Sequence, residues 1–196
     1  MKHRWILLLL LGLFASPAAA EDPILSGPQP GEKLTPFKVF VATGERQGKE
    51  ADLIAEWDGA PAVLVFVHEL TRPGAALMRA LDAFQQRRAG DGLKLGFVFL
   101  TRDRTQSEQH LPLVARSLRM AAPLTLSVDG PEGPGNYGLN RHVQMTVLVA
   151  RKNSATASFA LVQPNETDAS KIWTEVVKLI GGSVPTLDEV RATGGR

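Results

Sequence analysis

Residues 63–101 constrain the fold more than any other part of the chain. Val63-Leu64-Val65-Phe66-Val67-His68 is a continuous apolar run ended by one histidine, the composition of a strand covered on both faces. Thr71 then offers a hydroxyl for a helix N-cap, and Pro73 stands in the first turn, where its missing N–H leaves nothing unsatisfied. Leu77, Leu81 and Phe84 recur at helical spacing, Arg79, Asp82 and Gln86 are assigned to the outward face, and Gly90 and Gly92 stop the helix. Residues 93–101 form a second apolar run. A strand, an amphipathic helix and another strand make a crossover unit, which implies parallel pairing and a sheet with a helix laid on it.

The remaining segments fall around this unit. Residues 37–42 and 52–57 read as two strands joined through Gly44 and Gly48, a hairpin extension at one end of the sheet. Thr105-Gln106-Ser107-Glu108 has the form of a capping box for a second helix, whose start Pro112 is expected to shift or kink. A loop rich in glycine and proline, residues 129–135, leads to Tyr137-Gly138-Leu139-Asn140. Residues 143–150 and 156–162 make an antiparallel pair around Lys152-Asn153, and a last helix over 169–180 is capped by Asp168 and stopped by Gly181-Gly182. After the hairpin the order is strand, helix, strand, helix, strand, strand, helix. That order predicts one α/β domain over 37–182, a three-layer sandwich with a mixed central sheet and helices on both faces.

The flanks read differently. Residues 1–20 have the three parts of a secretory signal: Lys2, His3 and Arg4, an apolar run, and Ala18-Ala19-Ala20 before Glu21. The expectation is export to a periplasmic or extracellular compartment, with no lipid anchor and no membrane span left after cleavage. Losing Lys2 and Arg4 takes the 22 basic residues to 20, level with the 20 acidic ones. A chain without net charge or a basic run gives no support to nucleic-acid binding. Residues 21–36, rich in Pro, Gly and charge, read as an extended arm, and residues 183–196 as a flexible tail.

Leu70-Thr71-Arg72-Pro73-Gly74, between the first apolar run and its helix, resembles the active-site turn of the thioredoxin-like superfamily, with Thr71 and Gly74 at the two cysteine positions. Gly27-Pro28-Gln29-Pro30-Gly31 with Leu34 and Phe37, and the triplet Tyr137-Gly138-Leu139, resemble the redoxin and peroxiredoxin branch. In a peroxiredoxin alignment Thr71 matches the active-site threonine and Gly74 replaces the reactive cysteine. The family's cis-proline is also missing, with Met145 after Gln144 in its place, so a trans bond is expected there. The chain has no cysteine at all, and thiol-disulfide exchange and thiol peroxidase chemistry both need a thiolate nucleophile. The resemblance implies the scaffold without the reaction.

Ligands of open α/β sheets gather at the carboxyl ends of the strands. The chain places His68, Glu69, Thr71 and Arg72 there, then Arg102 and Asp103, and brings in His142, Gln144 and Met145. These are the candidate binding residues for a protein or extended peptide, with no catalytic residue and no cofactor. A copper or zinc site built on His68 and His142, completed by Met145, is the alternative. A hydrolytic set of Thr71, Asp103 and His110 has no supporting motif.

Overall fold

The computed structural model describes residues 23–193, so the signal segment lies outside the described residues. Seven strands form one sheet: β1 (Lys38–Val41), β2 (Glu50–Asp52), β3 (Ala62–Val67), β4 (Lys94–Phe99), β5 (Leu124–Ser127), β6 (Met145–Arg151) and β7 (Ser154–Leu161). Their order is β2-β1-β5-β4-β3-β6-β7, parallel between β3, β4 and β5 and antiparallel elsewhere. The helices are α1 (Leu53–Trp57), α2 (Arg72–Arg87), α3 (Arg104–Leu118), α4 (Asp168–Ile180) and α5 (Leu187–Thr193). The expected mixed α/β sheet and crossover unit are therefore present.

Alternation along the strands splits the core in two. Val63, Val65 and Val67 of β3, Phe97 of β4, Leu124 and Leu126 of β5, and Val147 of β6 pack against Leu77, Leu81 and Phe84 of α2 and Ile172, Trp173 and Val176 of α4. Phe84 and Trp173 stack with centroids 5.3 Å apart. The other face carries Leu64, Phe66, Val98 and Leu148, and its cover is unlike a helix layer: α1, Leu34 of the arm, Phe37 just after it, and Tyr137. Helices lie on both faces as expected, but on the second face only through the short α1.

Several local expectations fail for identifiable reasons. Residues 53–57 are helical, because the Asp52 carboxylate accepts the N–H groups of Ile54 and Ala55 at 3.1 and 3.0 Å and ends β2. Strand β5 was not read from the sequence. Its four residues, Leu-Thr-Leu-Ser, alternate in polarity, and Thr125 is buried by donating its hydroxyl to the Phe97 carbonyl at 2.8 Å. The second helix is capped by Asp103 rather than Thr105, starts at Arg104 and runs on through Pro112. Asp168 is the first residue of α4, its carboxylate accepting the Asn165 N–H at 3.0 Å, and Thr167 is the cap position.

The described part of the arm lies extended on the sheet: Gly31 donates to the Ala155 carbonyl, Ala155 to Glu32 and Leu34 to Asn153, and together these bonds pin it along the start of β7. The expected flexible tail instead contains α5, whose Val190 is buried in the core shared with α2, while Arg87 donates to the Glu189 carbonyl and Arg191 pairs with Glu166. Asp82, assigned to the outward face of α2, is 2% exposed. It stands four residues after buried Met78, so the apolar stripe carries it inward, where its oxygens accept the main-chain N–H groups of Ala122 and Ala121 at 2.7 and 2.9 Å.

Candidate functional site

At the carboxyl end of β3 the chain leaves the sheet and turns into α2. Thr71 is the N-cap in extended backbone conformation, and its hydroxyl oxygen accepts the Gly74 N–H at 3.3 Å. The same hydroxyl donates to Gln144 Oε1 at 3.4 Å. The residue at the first sulfur position of a thioredoxin is thus an ordinary helix cap joined to the loop before β6.

That loop is tied down through its main chain. The Gln144 carbonyl accepts the N–H groups of both His68 and Glu69, at 2.9 and 3.2 Å, and the Gln144 N–H donates to Leu161. Val143 donates to the Asn140 carbonyl and His142 to Asn140 Oδ1. The N–H groups of 142, 143 and 144 are therefore all engaged within the chain, so an incoming strand finds no free donor among them. Among the described residues there is no cis peptide bond, and Gln144–Met145 is trans as expected.

Met145 fills the crevice. It is fully buried, and a Cβ placed on Gly74 would stand 2.8 Å from its terminal methyl and 3.3 Å from Pro164. Glycine at the second sulfur position is the space that the methionine occupies. Met145 is therefore a core residue and not a contact for a partner or a metal, a correction to its placement among the candidate binding residues.

The other candidates separate. Glu69 is exposed, with Gln144 Nε2 3.5 Å from its carboxylate, and Arg72 is exposed beside it. Arg102 is exposed, and Asp103 accepts the Gln106 N–H at 2.9 Å as the cap of α3. His110 is exposed on α3, and among the described residues no hydrogen bond joins Thr71, Asp103 and His110: the Thr71 hydroxyl is shared with Gly74 and Gln144, and the Asp103 carboxylate with Gln106. His142 is exposed and shares no hydrogen bond with His68, and among the described residues no group of three or more His, Asp or Glu converges on a metal position. His68 is half-buried with Nε2 unpartnered; burial lowers its pKa below the usual value, against a smaller upward effect of the Glu132 charge. The structure thus brings together Glu69, Thr71 and Gln144 around the backbone of His68, and leaves Arg72 and His142 exposed.

Similar solved structures show the same architecture. A protein described as the thiol:disulfide interchange protein DsbE from Chlorobium tepidum superposes with a TM-score of 0.63 at 15% identity, covering 79% of this chain and 99% of that one. The fold is thioredoxin-like. Peroxidoxin BcpB from Mycobacterium tuberculosis matches with a TM-score of 0.61 at 16% identity, over 78% of this chain and 98% of its own. A secreted disulfide oxidoreductase from Mycobacterium tuberculosis matches with a TM-score of 0.56 at 13% identity, over 72% and 95%. No protein-family model matches the chain, and no curated protein sequence does. On this thioredoxin-like scaffold both sulfur positions lack sulfur, in a chain with no cysteine. No described helix is long and apolar enough to cross a membrane.

The sequence reading missed two features. One is the main chain of Gln144, which carries the link between the two halves of the site and leaves no mark in residue type. The other is Asp82, whose signal was its spacing of four from Met78.

Proposed function

We propose that this chain is an exported thioredoxin-like domain that works by binding a protein or extended peptide at the former active-site face. The observation that carries this reading is Met145 packed on Gly74: the site has neither a reactive atom nor an open crevice, yet the turn and the loop remain joined through Gln144. What remains accessible is a polar surface, with Glu69 and Arg72 on one side and Arg141 and His142 on the other. Because the N–H groups of 142–144 are engaged, recognition there runs through side chains rather than by adding a strand to the loop. The domain limits go with this reading: arm 21–36, domain 37–182, and the segment from 183 as an attached end. Export rests on the signal-like first twenty residues and on the secreted relative.

The test is site-specific photo-crosslinking in the exported fraction, with the reactive residue at position 72 or, as a control on α4, at position 171. The expected result is an adduct with one defined protein from position 72 only, lost when Glu69 and His142 are both changed to alanine. Identical adducts from both positions would remove the proposal. Mass spectrometry of the same fraction should find a mature chain starting at Glu21, and insulin reduction and peroxide consumption should stay at buffer level.

A further inference from the structure

The helix layer holds a groove of about 620 Å³ between α2, the end of α3 and α5, lined by none of the residues of the Thr71 face. Ala76, Ala80 and Ala83 contribute small side chains from one stripe of α2, and Leu118 and Val190 add apolar wall. A volume of this size is in the range that holds small organic molecules.

Its charge is lopsided. Arg79, Arg119 and Arg191 line the groove, against Glu166 and Asp82. Asp82 is turned to the main-chain N–H groups of Ala121 and Ala122, and Arg191 is paired with Glu166 and Asp188. Arg79 acts on Glu166 only at a distance, lowering its pKa slightly further after Arg191 has done most of it. Among the described residues neither the Arg79 nor the Arg119 guanidinium has a hydrogen-bonded or ion-paired partner. Arg119 also ends α3 in the left-handed region, φ 54°, a position glycine takes at lower cost. The positive charge suits the negative end of the α3 dipole, so the left-handed backbone is the one feature there that an arginine does not favour.

We infer that this groove binds an organic anion, a carboxylate or phosphate head on a short apolar body. Guanidinium groups fit both heads with paired hydrogen bonds, and the alanine stripe with Leu118 and Val190 receives the body. The head sits between Arg79 and Arg119, the two cations of the groove whose guanidinium groups make no hydrogen bond or ion pair within the chain.

Calorimetric titration of the full chain with octanoate and with octyl phosphate tests this, with octanol and inorganic phosphate as the uncharged and tailless comparisons. At least one octyl anion should bind, and which one identifies the head group. The Arg79→Ala/Arg119→Gly variant should weaken that binding at least tenfold, while keeping its fold by circular dichroism, since glycine suits φ 54° and Arg79 is exposed. Octanol and phosphate should bind at least tenfold more weakly than the octyl anion. No binding of either anion, equal binding by the double variant, or octanol binding as tightly as the anion would overturn the inference.

Discussion

Replacing Asp82 by alanine tests whether a buried carboxylate holds α2 to the α3–β5 connection. Three hydrogen bonds end on it: Ala122 N–H at 2.7 Å, Ala121 N–H at 2.9 Å and Gln86 Nε2 at 3.0 Å. Ala122 is buried, so its N–H has no access to water once the carboxylate is gone, at a cost of about 1 to 3 kcal/mol. Ala121 is exposed and recovers a bond from solvent, and Gln86 does the same. Relief of the buried charge offsets part of the loss, leaving an expected destabilisation of about 2 kcal/mol, or roughly 4 to 8 °C in Tm for a chain of this size. Asp82→Asn should cost a similar amount, because its amide nitrogen faces one of the two N–H groups. The pH dependence separates burial from hydrogen bonding. Burial raises the Asp82 pKa above its ordinary value and outweighs the three bonds that lower it, so the folded protein takes up this proton more readily than the unfolded one. The stability gap between the native chain and Asp82→Ala should therefore be largest below the unfolded carboxyl pKa near 4, and should shrink as pH rises towards 7. Urea unfolding at pH 3.5, 5 and 7 measures it. A gap that widens with rising pH would show that the hydrogen bonds, not burial, dominate, and a loss under about 0.5 kcal/mol would refute the clamp itself.

His68 should give the opposite sign. Its pKa is lowered by burial, so folding excludes its proton and stability is lost as pH falls below the unfolded value near 6.5; His68→Leu should flatten the stability profile between pH 7 and 5, and an unchanged slope would count against it. A Cβ on Gly96 would lie 2.8 Å from Trp57 Cη2 and 3.0 Å from Leu53 Cδ1, so Gly96→Ala must lift α1 from the sheet. The expected cost is about 1 to 3 kcal/mol with a red shift of Trp57 emission, and a native-like spectrum at unchanged stability would contradict this packing.

The parts of the fold legible in the sequence are those whose signal is local and repeated. The apolar run of β3, the Thr71 cap with Pro73, and the Lys152-Asn153 turn, whose residues both adopt positive φ at 54° and 55°, are written in residue type and spacing. Strand β5 was hidden because its four residues are at the short limit for a strand and run straight into the glycine and proline loop; it is a strand because β4 and β1 stand ready to pair with both of its edges. The helix at 53–57 was hidden for the converse reason. Leu53, Ile54 and Trp57 are as apolar as a strand, and only the Asp52 cap and the glycine opposite Trp57 decide for helix. The helix α5 and the bonds that fix the arm were invisible because their stability is tertiary, coming from contacts with α2 and bonds to β7.

The candidate site shows the same division. That no thiol chemistry runs here follows from composition alone, and the convergence of the Thr71 turn with the Gln144 loop followed from topology. What closed the crevice could not be read, because Gly74 and Met145 are separated by the rest of α2, β4, α3 and β5, and each is unremarkable in its own segment. Their meaning is joint: glycine leaves room, and an unbranched side chain with three rotatable bonds fills it. Two consequences follow from that one contact. A thiol side chain at 74 would meet the Met145 methyl, so a cysteine could stand there only if the methionine moved. And with the Gln144 main chain turned to His68, Glu69 and Leu161, the backbone route by which an extended chain could join this loop is closed as well. Around the filled crevice the exposed polar side chains include those of Glu69, Arg72, Arg141 and His142.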